Sequence, residues 1–187
     1  MKAVLCSRNA GKARELERLL PGWEIEPLDA DGYPPETGES YFENARAKAR
    51  FGRAVGDRSA WMIGEDSGIE VQALDGRPGL HSARAGGEDP VGWLLATLEG
   101  AENRRARYVS ELVALSPEGV EVRGTGTLNG TIATEARGSE GFGYDPIFVP
   151  EGATRTVAEL GNDWKAGNSH RARAAADLLG RLETAPG

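Results

Sequence analysis

A single cysteine among 187 residues excludes an internal disulfide. Cys6 sits in the apolar run Ala3-Val4-Leu5-Cys6, which marks it as a buried structural thiol. Histidine is almost as scarce, with two residues, neither close to Cys6 in sequence, so a cysteine–histidine nucleophile pair is disfavoured. No apolar stretch approaches the ~20 residues that span a bilayer. The first segment runs directly into a strand-like run without an Arg-rich or long apolar leader, so the expected setting is the cytoplasm, away from membranes. Positive charge is in deficit. The 22 Lys and Arg against 29 Asp and Glu give a net charge of -7, which repels a polyanion over most of the surface and argues against nucleic acid as a partner. A small anion needs only a locally basic pocket, so the placement of individual Lys and Arg says more than their total. Internal repeats and low-complexity tracts are absent as well.

What remains is an ordinary globular composition, 39% hydrophobic and 27% charged, at a length suited to one domain spanning residues 1–187. A short strand, Lys2 to Cys6, leads through Ser7-Arg8-Asn9-Ala10-Gly11 into a helix with Leu16, Leu19 and Leu20 at helical spacing. A second helix opens on the capping box Ser40-Tyr41-Phe42-Glu43 and runs to about Val55. Ala60 to Gly64 reads as a buried strand ending at Glu65-Asp66-Ser67-Gly68, with Ile69-Glu70-Val71 resuming extended structure beyond. Alternation in Arg107–Leu115 and Val120–Leu128, joined by Ser116-Pro117-Glu118-Gly119, predicts a β-hairpin. A last helix follows Asn168-Ser169, with Ala172, Ala175, Ala176, Leu179 and Leu182 on one stripe.

Four segments carry possible chemistry. Ser7-Arg8-Asn9-Ala10-Gly11-Lys12 puts a hydroxyl, an amide, a glycine and a lysine at a strand-to-helix junction, which serves either phosphate binding or plain helix capping. It is not a P-loop, since no upstream Gly precedes it and Ala13 stands where a Ser or Thr would be needed. Glu65-Asp66 places two carboxylates in extended chain, where they point to opposite faces. With the acidic group Glu36-Thr37-Gly38-Glu39 they offer the hard oxygen ligands that suit magnesium. Gly141-Phe142-Gly143-Tyr144-Asp145-Pro146 interleaves aromatics with glycine, fit either to stack on a purine or to form a tight turn with its rings inward. Lys165 to Arg171 sets Lys165, His170 and Arg171 around a helix start, where cations are disfavoured unless an acceptor compensates them. Gly124-Thr125-Gly126 is only a weak lookalike of a dinucleotide motif and reads better as a strand.

In this order, Ser7-Arg8-Asn9 with Lys12, Glu36-Thr37-Gly38, Phe42-Glu43-Asn44-Ala45 with Lys48, Asp66-Ser67-Gly68, Pro78-Gly79 with Ser82-Ala83-Arg84, Gly141 to Pro146, and Lys165 with Ser169-His170-Arg171 resemble the inosine triphosphate pyrophosphatase family, the Ham1-type XTP/dITP diphosphatases. The resemblance implies an elongated α/β fold with a mixed twisted sheet, flanking helices and two lobes around a central cleft. It also implies a magnesium-dependent homodimer. The implied activity is hydrolysis of ITP, dITP and XTP to the monophosphate and pyrophosphate. It assigns Ser7 through Lys12, including Ala10 and Gly11, to the triphosphate, Asp66 and Lys48 to catalysis, and Ser67 to substrate contact. Phe142, Gly143, Tyr144, Asp145, Lys165, His170 and Arg171 are assigned to the base, and Asp66 and Glu36 to the metal. Glu65 stands where the family commonly has Asp, Pro35 where many relatives have an acidic residue, and His81 where Tyr is frequent. Alternatives are a purine-nucleotide sensor without hydrolysis and a Maf-like pyrophosphatase for other modified nucleotides.

Overall fold

A computed structural model describes residues 1–7 and 9–184; Arg8 and residues 185–187, and the side chain of Ala10, lie outside the description. The elements in chain order are β1 (Lys2–Leu5), α1 (Ala10–Leu19), β2 (Glu24–Pro27), α2 (Tyr41–Val55), β3 (Trp61–Val71), α3 (Pro90–Thr97), β4 (Arg105–Leu115), β5 (Glu121–Ile132), β6 (Phe148–Pro150), α4 (Val157–Asn168) and α5 (His170–Thr184). The strands form a six-stranded sheet in the order β2-β1-β3-β4-β5-β6. It is mixed: β1 runs parallel to β2 and β3, while β5 and β6 are antiparallel.

Local chemistry accounts for most boundaries. Asn9 Oδ1 accepts from the Gly11 and Lys12 amides at 2.9 and 3.3 Å and starts α1. Ser40 Oγ accepts from the Glu43 amide at 3.2 Å, but the Glu43 carboxylate takes the Glu39 amide (2.6 Å), so the expected capping box closes one residue earlier. A complete box, Thr156 with Glu159, starts α4. The expected break at Glu65–Gly68 is corrected: β3 is one eleven-residue strand through the acidic pair. Both carboxylates find side-chain donors on the sheet faces, so nothing forces the strand to end there. The short β2 and β6 escaped the sequence reading, since 4 and 3 residues display no period.

Packing divides the chain into two compact units. The first comprises Met1–Asp66, Ser110–Gly126 and the chain from Arg171. One face of its sheet, with Ala3, Leu5, Ile63, Leu112 and Ala114, packs on Leu16 of α1, on Leu20 at its C-terminal cap, and on Ala174, Ala175 and Leu178 of α5. The opposite face, with Val4, Cys6, Met62 and Val113, packs on Ala45 and Ala49 of α2. Gly124 belongs to this packing: a Cβ there would meet Ala174 and Leu178 of α5, a sheet-and-helix role that fits no dinucleotide motif. Burial pushes the Cys6 thiol up to about 12, which suits a structural thiol and no nucleophile.

The second unit comprises Ser67–Val109 and Thr127–His170. Ile69, Val71, Ala106, Tyr108, Leu128, Ile132 and Phe148 pack against Leu94 and Leu98 of the α3 segment and Val157 of α4. Glu70, Arg107, Asn129 and Thr131 line a groove of about 730 Å³. None of the site residues anticipated from the sequence lines it. Among the described residues no helix is long and apolar enough to cross a membrane.

In the first unit, Gly64 fixes how closely α2 lies on β3, because a Cβ at this position would run into the Ala45 carbonyl and the Ala49 amide. The obstacle is helix backbone, which has little room to yield. Gly64→Ala is therefore expected to lower the unfolding free energy by about 3 kcal/mol, the upper end for overpacking, as read from urea melts. An unchanged midpoint would mean that the helix does not rest on this glycine.

Candidate functional site

Consecutive residues of a strand face opposite ways, and β3 uses this to hold two carboxylates in different surroundings. Glu65 has no exposed surface. Its Oε2 lies 2.5 Å from Lys12 Nζ, and its Oε1 accepts from Arg171 Nε and Nη2 at 3.2 and 3.0 Å. Ser110 Oγ adds a longer contact at 3.4 Å. Arg171 Nη1 donates in turn to Glu15 Oε2 at 2.7 Å. The cation in the first turn of α5 is thus compensated by two carboxylates, the kind of acceptor its position requires. Burial alone would raise the Glu65 carboxyl, but the charges of Lys12, Arg171 and Lys48 outweigh it and hold the group well below the ordinary carboxylate range.

Asp66 faces α2. Lys48 Nζ donates to its Oδ1 at 3.0 Å and Asn44 Nδ2 to its Oδ2 at 3.0 Å. Asn44 and Lys48 are one helical turn apart, so a single helix face supplies both donors. Asn44 Oδ1 also accepts from the Gly38 amide at 2.8 Å, which ties the Glu36–Gly38 loop to the same point. Lys48 Nζ further meets Glu36 Oε1 at 2.5 Å and the Glu65 carbonyl at 3.1 Å. Burial raises the Asp66 carboxyl above its ordinary value, against the opposing pull of Lys48 and Asn44. Burial would lower Lys48, but Asp66, Glu36 and Glu65 overcome it and the ammonium is raised.

Around the Lys48 ammonium the two carboxylates and one carbonyl form a set of hard oxygen donors converging on one point. Among the described residues no three His, Cys, Asp or Glu side chains form a metal cage. Magnesium does not need one: one or two carboxylates with substrate oxygens and waters suffice. Glu36 and Asp66 fit that requirement.

The amino-terminal loop is less committed. Ser7 Oγ accepts from the Asn9 amide at 3.2 Å, and Asn9 caps α1. Gly11 and Lys12 supply the capped amides, and the Lys12 ammonium is turned inward onto Glu65. Ala10 opens the helix.

In the second unit a different cluster centres on Asp145. Its Oδ2 accepts from Lys165 Nζ at 2.8 Å and from the Phe142 amide at 2.9 Å, and its Oδ1 from the Tyr108 hydroxyl at 3.3 Å. Lys165 Nζ lies 4.5 Å from the centre of the Phe142 ring, which is 38% exposed. Tyr144 turns inward, its hydroxyl donating to the Ser82 carbonyl at 3.0 Å. The turn therefore divides the two readings: one ring packs in and one faces out. Gly141 has φ 80°, and a Cβ there would strike the Asp145 carboxylate. Gly143, with φ 63°, has nothing near such a Cβ. The loop is fastened to α4 a second time, where Glu140 Oε2 accepts from the Asn162 amide (3.0 Å) and side chain (2.9 Å), just after a kink at Gly161. The His170 ring stacks on Tyr108 with centroids 4.5 Å apart and planes 10° from parallel. Ser67 follows Asp66 on β3 and is half-buried.

The residues anticipated from the sequence fall in both units. Ser7, Asn9, Lys12, Glu36, Lys48, Asp66 and Arg171 belong to the first unit, and Ser67, Phe142, Gly143, Tyr144, Asp145, Lys165 and His170 to the second. Arg171, expected among the base-facing donors, is instead held by Glu65 and Glu15, and Arg8 lies outside the described residues. Glu15, Ser110 and Tyr108 were not foreseen. Glu15 carried one signal, its position three residues after Lys12 on the helix; an isolated Tyr in an alternating strand carried none.

The mixed α/β sheet carries a buried carboxylate–lysine centre in one unit and an aromatic–lysine loop in the other, the chemistry of a protein that meets anions and aromatic rings. Residues 3–181 match the Ham1 family. A dITP/XTP pyrophosphatase of Symbiobacterium thermophilum is 47% identical over 189 residues, covering 97% of this chain and 94% of that protein. One of Deinococcus deserti is 42% identical over 183 residues, covering 95% and 87%. The solved structure of the Staphylococcus aureus Ham1 protein superposes with a TM-score of 0.84 at 34% identity, covering 98% of this chain and 99% of that one. The chain belongs to the Ham1 family.

Glu65→Gln removes the charge that Lys12 and Arg171 share, and an unmatched buried charge typically costs about 3–5 kcal/mol. Because the folded-state carboxyl is held below its ordinary value of 4.5, its contribution is full above that pH and fades as pH falls beneath it. The stability gap separating wild type from Glu65→Gln, measured by urea unfolding, should be wide at neutral pH and narrow on acidification. A gap independent of pH would contradict this.

Proposed function

We propose that this chain hydrolyses non-standard purine nucleoside triphosphates, ITP, dITP and XTP, to the monophosphate and pyrophosphate. The observation that carries the reading is the Asp66 carboxylate, buried and fixed at 3.0 Å by both Asn44 and Lys48 with Glu36 on the same ammonium. Cleavage next to the α-phosphate needs a water in line with the leaving pyrophosphate, a group to orient it, and positive charge on the phosphate oxygens. Asp66 orients and deprotonates the water, and the upward shift that burial gives its carboxyl suits a base. Lys48 neutralises phosphate oxygens and the Ser7 hydroxyl meets the phosphate chain, while Lys12, held on Glu65, adds positive charge behind the loop. When bound by Glu36 and Asp66, magnesium would add charge neutralisation and hold the phosphates in place.

The base falls to the Asp145 group. Phe142 supplies a face for the purine, and Lys165, a donor only, accepts no proton from a base but satisfies a keto oxygen at position 6. A 6-amino group would set donor against donor. Arg171, fixed on Glu65 and Glu15, is in this reading a support for the acidic centre and not a reader of the base. Charge of -7 and a buried Cys6 accord with a cytoplasmic enzyme of the nucleotide pool, and a homodimer is the assembly we propose.

Pyrophosphate release with magnesium over ITP, dITP, XTP, ATP, GTP, CTP and UTP tests the reading directly, with turnover confined largely to the first three as the expected outcome. Asp66→Asn keeps size and removes charge, so turnover should fall by about 10²–10⁴-fold with the fold intact by circular dichroism. Near wild-type rates would withdraw Asp66 from the chemistry. Lys165→Ala should reduce kcat/KM for ITP by roughly ten- to a hundredfold while leaving ATP little affected. Arg171→Ala should lower ITP and ATP by a common factor and reduce stability. Selective loss with Arg171→Ala would return that residue to the base.

A further inference from the structure

The groups assigned to the base share one support that the sequence did not single out. Tyr108, buried on β4, has its ring in contact with two others: the fully buried Phe148 at 4.4 Å and 39°, and His170 at 4.5 Å and 10°. Its hydroxyl donates to Asp145 Oδ1 at 3.3 Å, and the other oxygen of that carboxylate holds Lys165 and the Phe142 amide. We infer that Tyr108 is a positioning residue for base selection, setting His170 through its ring and Lys165 with Phe142 through Asp145. The inference rests on the base-reading role proposed above for Lys165 and Phe142 and implied for His170 by the family resemblance.

Two physical features make Tyr108 more than a core aromatic. A Phe would fill the same space in the stack, so the hydroxyl is not needed for packing; it donates to the Asp145 carboxylate at 3.3 Å. That bond fills the second oxygen of a carboxylate whose first oxygen already has two donors, so the group is fixed against rotation. A near-parallel ring contact, meanwhile, sets the plane of the His170 imidazole and leaves its nitrogens directed by that plane. Selecting a purine by its edge requires donors held to within a fraction of an ångström, and a buried support of this kind supplies the rigidity.

Two variants separate the contributions. Tyr108→Phe keeps the stack and removes the bond to Asp145; Tyr108→Leu removes both. For ITP, kcat/KM should fall by about 3- to 10-fold in Tyr108→Phe and further in Tyr108→Leu, mostly through KM. For ATP, which gains nothing from the donors, the change should stay within about twofold. The ITP to ATP ratio therefore declines in the order wild type, Phe, Leu. Tyr108→Phe loses one buried hydrogen bond, so its melting temperature should fall by only about 2–4 °C, and the Phe arm alone decides the matter where Tyr108→Leu fails to fold. Equal losses for ITP and ATP, or no loss for either, would overturn the inference and leave Tyr108 as scaffold. Absence of ITP hydrolysis in the wild type would instead defeat the proposed function, and the inference with it.

Discussion

Helix α2 lies on strand β3 at a separation that only a residue without a side chain at position 64 permits. The setting of Asp66 follows from that contact. Gly64 and Asp66 share a strand face, and Ala45 and Ala49, which the glycine admits, are flanked on the helix by Asn44 and Lys48. With the two backbones pressed together, the donors of Asn44 and Lys48 arrive at the two oxygens of one carboxylate with equal distances of 3.0 Å. A helix displaced by a methyl group would carry its donors out of hydrogen-bonding range of at least one oxygen. The geometry that fixes Asp66 is therefore a packing property before it is an electrostatic one.

The reverse face of the same strand shows why the arrangement tolerates so much buried charge. Glu65, Lys12, Arg171 and Glu15 form a chain of alternating sign in which the innermost carboxylate is fully enclosed. Such clusters add little net stability, because desolvation offsets much of the attraction. What they provide is order. Arg171 ties α5 to β3, Lys12 ties α1 to β3, and the backbone carbonyl of Glu65 is also a partner of Lys48 across the sheet. The acidic pair thus couples the helices on both faces to one strand, with Glu65 engaged by α1 and α5 and Asp66 by α2.

Most of this unit was legible in the sequence because its signals are local. The capping residues Asn9 and Ser40, the helical stripe of α5, the hairpin turn at Ser116–Gly119 and the opposite-face rule for Glu65 and Asp66 all depend on near neighbours. Other features depend on contacts distant in the chain. The continuity of β3 through two carboxylates is set by Lys12, Lys48 and Arg171, the last of them 106 residues away. The role of Tyr108 depends on Asp145 and His170, and no pattern within β4 announces it.

Arg171 shows the limit most clearly. Its neighbour His170 and the nearby Lys165 made a compact run of donors in the sequence, and linear adjacency suggested a common target. A helix turns by about 100° per residue, so adjacent side chains in its first turn leave in different directions. His170 stacks on Tyr108 in the second unit, whereas Arg171 goes to Glu65 and Glu15 in the first. A cation at a helix start requires compensation, which fixes the sign of its partner and not its identity. A carboxylate of the protein and a keto oxygen of a substrate meet that requirement equally well on paper. Burial separates them: an arginine enclosed by two carboxylates has its charge neutralised before any ligand arrives, and moving it onto a neutral oxygen would strand Glu65 without one of its cations. The energetic cost of that rearrangement holds Arg171 in the acidic centre, as the carboxylate of the loop that carries Phe142 holds Lys165.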